Sequence, residues 1–271
     1  MSKRSMASLL GIAAVPALLG ISSGTPTSPT FRFTNQSAPY VETVVGWMAQ
    51  NVLAKVVDAA RGSESGAEDA VDYFASAQRA ARFRAMMWEP SGPARTTSAV
   101  IDTSFSVSEL EVLRPRAEMA IQRQISGALL ESGVGFRLAG TDVLFPPVLF
   151  RFESLPHLLV VSPRDRIERL STVLLRPGLS VDEAEMVEKT VSSDVFSALV
   201  TPIGGLAVYP SMVPEGSDIR WTLRTVAHEW AHQFLALRPA GWRYAFGAEN
   251  DGRMVTINET AAEIVGREIG D

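Results

Sequence analysis

The chain has 271 residues, of which 46% are hydrophobic, a net charge of -5 and no cysteine. This size and hydrophobic content allow a buried core for one large domain or two modest ones, so disorder is not expected. The negative charge argues against a phosphate-backbone partner, and we expect no nucleic-acid binding. Without cysteine, disulfides and a cysteine nucleophile are excluded, and a transition-metal site must use histidine and carboxylate.

Residues 1–30 have the three-part pattern of a secretory signal followed by a polar linker. The basic residues Lys3 and Arg4 precede an apolar run at 6–21, and small residues follow at 22–24. The run is shorter than the roughly 20 residues that a spanning helix needs. We therefore expect a signal peptide and a secreted or extracytoplasmic protein, with a membrane anchor at this N-terminal segment as the alternative.

Apolar spacing predicts a mainly helical region at 31–140. The predicted helices cover residues 41–60, 67–88 and 108–132. Pro115 lies either in the first turns of the third helix or divides that helix in two. The helical spacing ends near Gly140, which marks either a domain boundary or a loop within one domain.

Short β-rich runs and one helix are predicted after Gly140. The strand predictions are "HLLVV", "STVLL", "ALV" and "GLAVY", at 157–161, 171–175, 198–200 and 205–209, and the helix prediction is 181–191. The expected fold class is therefore α+β, with a second region at 141–271.

Two of the three histidines, His228 and His232, flank Glu229 in the pattern H-E-x-x-H. On a helix this spacing puts both imidazoles on one face, where they can share a metal ion with the glutamate beside it. The structural alternative is a pair of hydrogen-bonded surface histidines. The predicted helix also has an opposite, apolar face, formed by Leu223, Val226, Ala227, Trp230, Phe234 and Leu237.

A catalytic zinc site has three protein ligands and one position for water, so a third ligand must follow the two histidines. The metzincin spacing is excluded, because Leu235 and Arg238 occupy the positions of its glycine and third histidine. The remaining candidates are carboxylates, namely Glu249, Asp251, Glu259, Glu263, Glu268 and Asp271.

Among these carboxylates, Glu259 and Glu263 lie in "TINETAAEIVG", at 256–266, which has the spacing of an amphipathic helix. Four residues apart, they share one face, so that one can bind the metal while the other orients a histidine through its free ring nitrogen. The predicted packing stripe of this helix is Ile257, Ala261, Ile264 and Val265.

The H-E-x-x-H motif at 228–232, followed by N-E-x-x-x-E at 258–263, resembles the gluzincin group of zinc metallopeptidases, which includes thermolysin and the zinc aminopeptidases. The resemblance covers about residues 200–271. It implies that the second region is zincin-like, with a small mixed sheet and two metal-binding helices. It also implies that the cofactor is Zn2+.

Carried over to matching positions, the resemblance assigns roles to individual residues. The implied zinc ligands are His228, His232 and Glu259. Glu229 is the implied general base. Asn258 and Glu263 would support the ligands, although thermolysin-like enzymes have an aspartate where this chain has Glu263.

Two further elements of a gluzincin site are less well defined in this sequence. The resemblance implies that "GGLAVYP", at 204–210, forms an edge strand that pairs with the substrate backbone, while a buried strand or a turn at the glycines stays open. The donor for the developing oxyanion is not apparent from the motif. The candidate donors are Tyr209, Arg243 and Tyr244.

The sequence thus predicts zinc-dependent hydrolysis of peptide bonds, in which a metal-activated water attacks the carbonyl and Glu229 transfers the proton to the leaving amine. The partner is a peptide or protein substrate. An endopeptidase is favoured over an aminopeptidase, because no G-x-M-E-N type sequence is present to bind a free α-amine. The alternative is a catalytically inactive, zinc-binding extracellular recognition module on the same scaffold.

Two other enzyme classes fit the sequence less well. An intramembrane metalloprotease would need several apolar spans, and only the run at 6–21 comes close. A serine hydrolase would need a nucleophile motif, but the chain has no G-x-S-x-G. The third histidine, His157, is therefore interpreted as a residue of the core or of a strand end.

Overall fold

The computed structural model describes residues 29–61, 65–88, 97–216, 218–238 and 252–271. Residues 1–28 of the predicted signal and linker segment at 1–30 lie outside the described residues, and so do Arg243, Tyr244, Glu249 and Asp251. The described chain is mixed, with many helices and small sheets, as expected for an α+β protein.

The described helices, in chain order, are α1 (Pro29–Gln36), α2 (Val44–Arg61), α3 (Ala67–Trp88), α4 (Thr97–Glu131), α5 (Val181–Val191), α6 (Ile219–Ala236) and α7 (Gly252–Gly270). The described strands are β1 (Phe136–Leu138), β2 (Thr141–Val143), β3 (Phe150–Phe152), β4 (His157–Pro163), β5 (Ser171–Leu175), β6 (Phe196–Pro202) and β7 (Ser211–Val213). The helices predicted at 67–88 and 181–191 are confirmed, and α2 covers most of the one predicted at 41–60.

The predicted start of the third helix is wrong. Helix α4 begins at Thr97, and Pro115 lies inside one continuous helix instead of in its first turns or at a break. The buried residues Leu110 and Ala117 lie on either side of the proline. Packing of both halves against the core therefore outweighs the hydrogen bond that proline removes.

A three-stranded antiparallel sheet with the order β5-β4-β6 forms a small core with α5. The strands predicted at 157–161, 171–175 and 198–200 are confirmed, and His157 is the first residue of β4. Helix α5 begins at a capping box made by Ser180 and Glu183. The buried side chains of this core are Phe33, Leu159, Val161, Val173, Leu175, Val187 and Val191.

Side chains of α5 and of the turn after it cover the outer edge of β6. The backbone N–H groups of Phe196, Ala198 and Val200 donate to these side chains. Their acceptors are Ser193 Oγ at 3.3 Å, Ser192 Oγ at 3.1 Å and Glu188 Oε1 at 2.7 Å. The next residue in this series is Pro202, which has no N–H. This edge is therefore closed to the addition of another strand.

The strand predicted at 205–209 is wrong. Residues 204–210 form an irregular segment with one isolated bridge, between Leu206 and Met212, and β7 begins only at Ser211. The two glycines offer no side chain to pack in a sheet, and Pro210 has no N–H for a ladder. Strand β7 pairs in parallel with β3, a pairing that the sequence analysis did not predict.

The main hydrophobic core lies where α3, α4 and α6 meet β3. Its buried side chains include Tyr73, Phe74, Ile121, Ile125, Leu129, Phe150, Phe152, Val226 and Trp230. They come from both sides of Gly140, so the regions at 31–140 and 141–271 share this core. Among the described helices, none is both long and apolar enough to cross a membrane.

Candidate metal centre

Helix α6 carries the H-E-x-x-H motif and is fixed at its start and along one face. Asp218 Oδ1 accepts a hydrogen bond from the Trp221 N–H at 3.1 Å, which caps the helix. The Trp230 indole donates to the Pro146 carbonyl oxygen at 2.8 Å. The buried residues Leu223, Val226, Ala227 and Trp230 confirm the predicted apolar face. The opposite face, which carries both motif histidines, therefore points away from the main core.

Helix α7 packs closely along α6 through small residues. The buried positions Asn258, Ala262, Gly266 and Gly270 recur every four residues and form one face. A Cβ on Gly266 would lie 3.0 Å from the Arg224 carbonyl oxygen and 3.3 Å from the His228 Cβ. The absence of side chains at this contact lets the two helices approach closely.

The predicted packing stripe of this helix is only partly confirmed, because Ala261 and Val265 are half-buried but the two isoleucines are not. Ile257 and Ile264 are 57% and 55% exposed, and of the stripe only Val265 is partly buried against the main core. The hydrophobic pattern pointed to the large apolar residues, whereas the contact with α6 selects the small ones. Glu259 and Glu263 nevertheless lie on the side of α7 that reaches the histidines.

Three candidate ligand atoms converge between the two helices. His228 Nε2 and His232 Nε2 are 3.0 Å apart. Glu259 Oε2 lies 3.7 Å from the former and 3.5 Å from the latter. Among the described residues, this is the one such group of histidines and carboxylates that could hold a metal ion.

The size of this group can be compared with that of a zinc site. Zinc bonds of about 2.0 to 2.1 Å in a tetrahedron place neighbouring ligand atoms about 3.3 to 3.4 Å apart. The three observed separations, 3.0, 3.5 and 3.7 Å, lie on both sides of that value. The two nitrogens and one oxygen also match the donor set of catalytic zinc sites. The residues therefore fit the ion that the sequence analysis predicts.

Two polar residues of α7 face the ring nitrogens on the far side of the group. The His232 Nδ1–H donates to the buried Asn258 Oδ1 at 2.5 Å, which fixes the ring with Nε2 directed at the group. Glu263 Oε2 lies 3.8 Å from His228 Nδ1, which is too far for a hydrogen bond. Glu263 Oε1 accepts instead from Arg267 Nε at 2.7 Å.

Glu229 is buried beside the group, with only 6% of its surface exposed. Burial raises the pKa of this carboxyl to about 7, although the charges of His232 and His228 oppose the rise. For His232, burial alone would lower the pKa. Hydrogen bonding to Glu259 and the charge of Glu229 outweigh this effect, so the pKa of His232 is raised.

Tyr209, the described candidate for the oxyanion donor, is not brought into this group. It is 2% exposed, and its hydroxyl donates to the Pro147 carbonyl oxygen at 3.4 Å. Burial raises the pKa of this hydroxyl. The Tyr209 side chain is therefore part of the hydrophobic interior. The other candidates, Arg243 and Tyr244, lie outside the described residues.

The sequence analysis missed two features of this site. The small-residue series from Asn258 to Gly270 was readable as an i, i+4 pattern, but large apolar residues nearby gave the stronger signal. The adjacent glycines Gly204 and Gly205 were noted only as part of a strand or a turn. Their position next to α6 depends on contacts that no local pattern encodes.

Comparison of the chain with protein-family models, curated proteins and solved structures found no match. We therefore infer the function from the sequence motif and from the geometry of the site itself.

Proposed function

We propose that this protein is a zinc metallopeptidase of the gluzincin type that hydrolyses peptide bonds in extracytoplasmic peptides or proteins. The main support is the convergence of His228, His232 and Glu259, whose ligand atoms lie within 3.7 Å of one another. The buried Glu229 next to them has the position expected of a general base. The α6–α7 pair corresponds to the two metal-binding helices of a zincin-like region.

The two histidines and Glu259 would hold the zinc ion. When bound there, zinc supplies a Lewis acid that polarises the substrate carbonyl and makes water more acidic. Asn258 fixes the ring of His232 through the hydrogen bond to Nδ1. The small residues of α7 bring Glu259 close enough to α6 to complete the group.

Glu229 performs the proton transfers in this mechanism. It accepts a proton from the attacking water and then delivers it to the nitrogen of the leaving amine. Burial, which raises the pKa of this carboxyl in the metal-free protein, makes Glu229 a stronger base for the first step. The peptide bond is broken without a covalent intermediate on the protein.

The substrate approaches from the open side of the histidine face. The side chains of His228 and Glu259 are 23% and 46% exposed, so a peptide can reach them. The outer edge of β6 is covered by side chains of α5, and the substrate backbone therefore does not extend this strand. Internal cleavage is favoured over removal of N-terminal residues, because the sequence lacks the motif that binds a free amine.

Metal analysis and peptide hydrolysis together test this function. The purified protein should contain close to one zinc ion per chain and should cleave members of a peptide library, with the products identified by mass spectrometry. We expect His232→Ala to lose the metal. We expect Glu229→Gln to keep the metal but to hydrolyse about 100-fold to 10,000-fold more slowly.

The exposed Glu185 on α5 provides the matched control, since Glu185→Gln makes the same chemical change away from the site. This variant should behave as the parent protein. Equal hydrolysis by Glu229→Gln and the parent would exclude Glu229 as the base. A parent that binds zinc but cleaves no peptide would favour the inactive recognition module, and a parent without zinc would contradict the proposal altogether.

A further inference from the structure

Gly205 lies directly against the Glu229 carboxylate. A Cβ built on Gly205 would overlap the carboxylate oxygen and would lie 3.0 Å from the Glu229 Cγ. The neighbouring Gly204 differs, because a Cβ there would have no atom within 4 Å. Neither glycine has a φ in the left-handed region, so alanine can adopt the backbone conformation at both positions.

Packing restricts where the Glu229 carboxylate lies. Within the described part of the chain, no hydrogen bond to this carboxylate is present. The side chain is 6% exposed, so it has little room to adopt another position. Any atom added at residue 205 therefore displaces the carboxylate from its place beside the histidines.

Hydrogen bonds restrict movement of the backbone segment that contains Gly205, so this segment cannot easily shift away from Glu229. Leu206 and Met212 exchange two backbone hydrogen bonds of 3.0 Å each. Gln233, the residue after His232 on α6, donates to the Ser211 hydroxyl at 2.9 Å and also to the carbonyl of the buried Val208. The metal-binding helix thus holds this segment in place on the C-terminal side of Gly205.

We propose that Gly205 is a positioning residue for the general base, an inference that rests on the proposed hydrolytic function. The volume that a side chain at 205 would occupy is the volume in which the Glu229 carboxylate lies. Glycine at this position therefore keeps the carboxylate at the metal group, although Gly205 contributes neither a metal ligand nor a proton.

The test compares Gly205→Ala with Gly204→Ala. We expect Gly205→Ala to lower kcat about 100-fold, which is the scale of loss for a catalytic group displaced by about 1 Å. Its KM and zinc content should stay at the parent values. Gly204→Ala should resemble the parent in all three measurements. Equal kcat values for both variants would overturn the proposal, and so would loss of zinc from Gly205→Ala.

Shortening the glutamate provides a rescue experiment. In a Glu229→Asp background the carboxylate withdraws from residue 205, so adding Gly205→Ala should lower kcat much less than it does in the parent. A purely structural defect at 205 would persist in both backgrounds. An equal loss in the two backgrounds would therefore contradict a positioning role.

A thermal-melting cycle separates this inference from the proposed function. In the metal-free protein, Gly205→Ala should lower the melting temperature when Glu229 is present and less when residue 229 is changed by Glu229→Ala. If the parent cleaves no peptide, the proposed function fails, but this coupling still supports the contact between the two residues. Additive shifts would overturn the assignment of Gly205.

Discussion

The main core and the candidate metal centre each have a buried glutamate among the described residues, and the two glutamates differ in their hydrogen-bond partners. Glu118 Oε2 contacts Lys55 Nζ at 2.6 Å, and Glu118 Oε1 accepts from the Phe152 N–H at 2.8 Å. Arg151 adds a third charge at 3.9 Å. Glu229 has no hydrogen bond in the described part of the chain, and burial raises its pKa to about 7.

The comparison indicates that Glu118 stabilises the fold, whereas Glu229 is free to take part in proton transfer. A buried charge is costly unless it is paired and hydrogen-bonded, so Glu118 is held by partners from α2 and β3. Burial destabilises the charged form of Glu229 more than the neighbouring charges of His232 and His228 stabilise it. Buried groups with a perturbed pKa that lie next to candidate metal ligands are typical of functional sites.

The largest expected effect is that of removing Glu118. We expect Glu118→Ala to lower the free energy of unfolding by about 3 to 5 kcal/mol, because the charge of Lys55 would be buried without a partner. Urea denaturation measures this change. The double variant Lys55→Met/Glu118→Gln removes both charges and keeps an acceptor for the Phe152 N–H, so its loss should be much smaller. A double variant as unstable as Glu118→Ala would contradict this account.

Removing the charge of Glu229 should raise the free energy of unfolding, whereas removing Glu118 lowers it. The folded-state pKa, about 7, lies above the ordinary value of 4.5 that the carboxyl has in the unfolded chain, so stability is lost as the pH rises between these values. We expect Glu229→Gln to stabilise the metal-free protein by up to about 3 kcal/mol at about pH 8, and by much less at about pH 5. Denaturation with a chelator present measures both values, and destabilisation at about pH 8 would contradict the comparison.

A smaller effect is expected for Asn258, a buried polar residue of the site that, like Glu118, is paired. Asn258→Ala removes the acceptor of the His232 Nδ1–H, and we expect the zinc affinity to fall about 10-fold to 100-fold. Competition with a chromogenic chelator measures the affinity. Thr260→Ala changes an exposed residue of the same helix and provides the control. An unchanged affinity of Asn258→Ala would show that this hydrogen bond does not orient the ring.

Local patterns in the sequence predicted the features that depend on neighbours along the chain. The periodicity predicted the helices at 67–88 and 181–191 and the strand at 171–175. It also predicted that His228 and His232 share the face of α6 opposite its apolar residues. Each of these follows from the fixed geometry of one helix or strand, so a short stretch of sequence contains the required information.

Only the tertiary structure decided the features that join distant parts of the chain. The packing face of α7 was not predictable from its apolar residues, because the approach to α6 requires small ones. The contact of Gly205 with Glu229 and the irregular path of 204–210 depend on Gln233 and Ser211. The continuity of α4 through Pro115 likewise depends on the core around it.

The candidate site divides in the same way. The sequence alone identified the histidine pair and Glu229 as candidate site residues, because the H-E-x-x-H spacing places both histidines on one face of a single helix. The separations of Glu259 from the histidines, 3.5 and 3.7 Å, were decided by the packing of α7 on α6. Such distances are set by side-chain sizes on both helices, and no single stretch of sequence contains them.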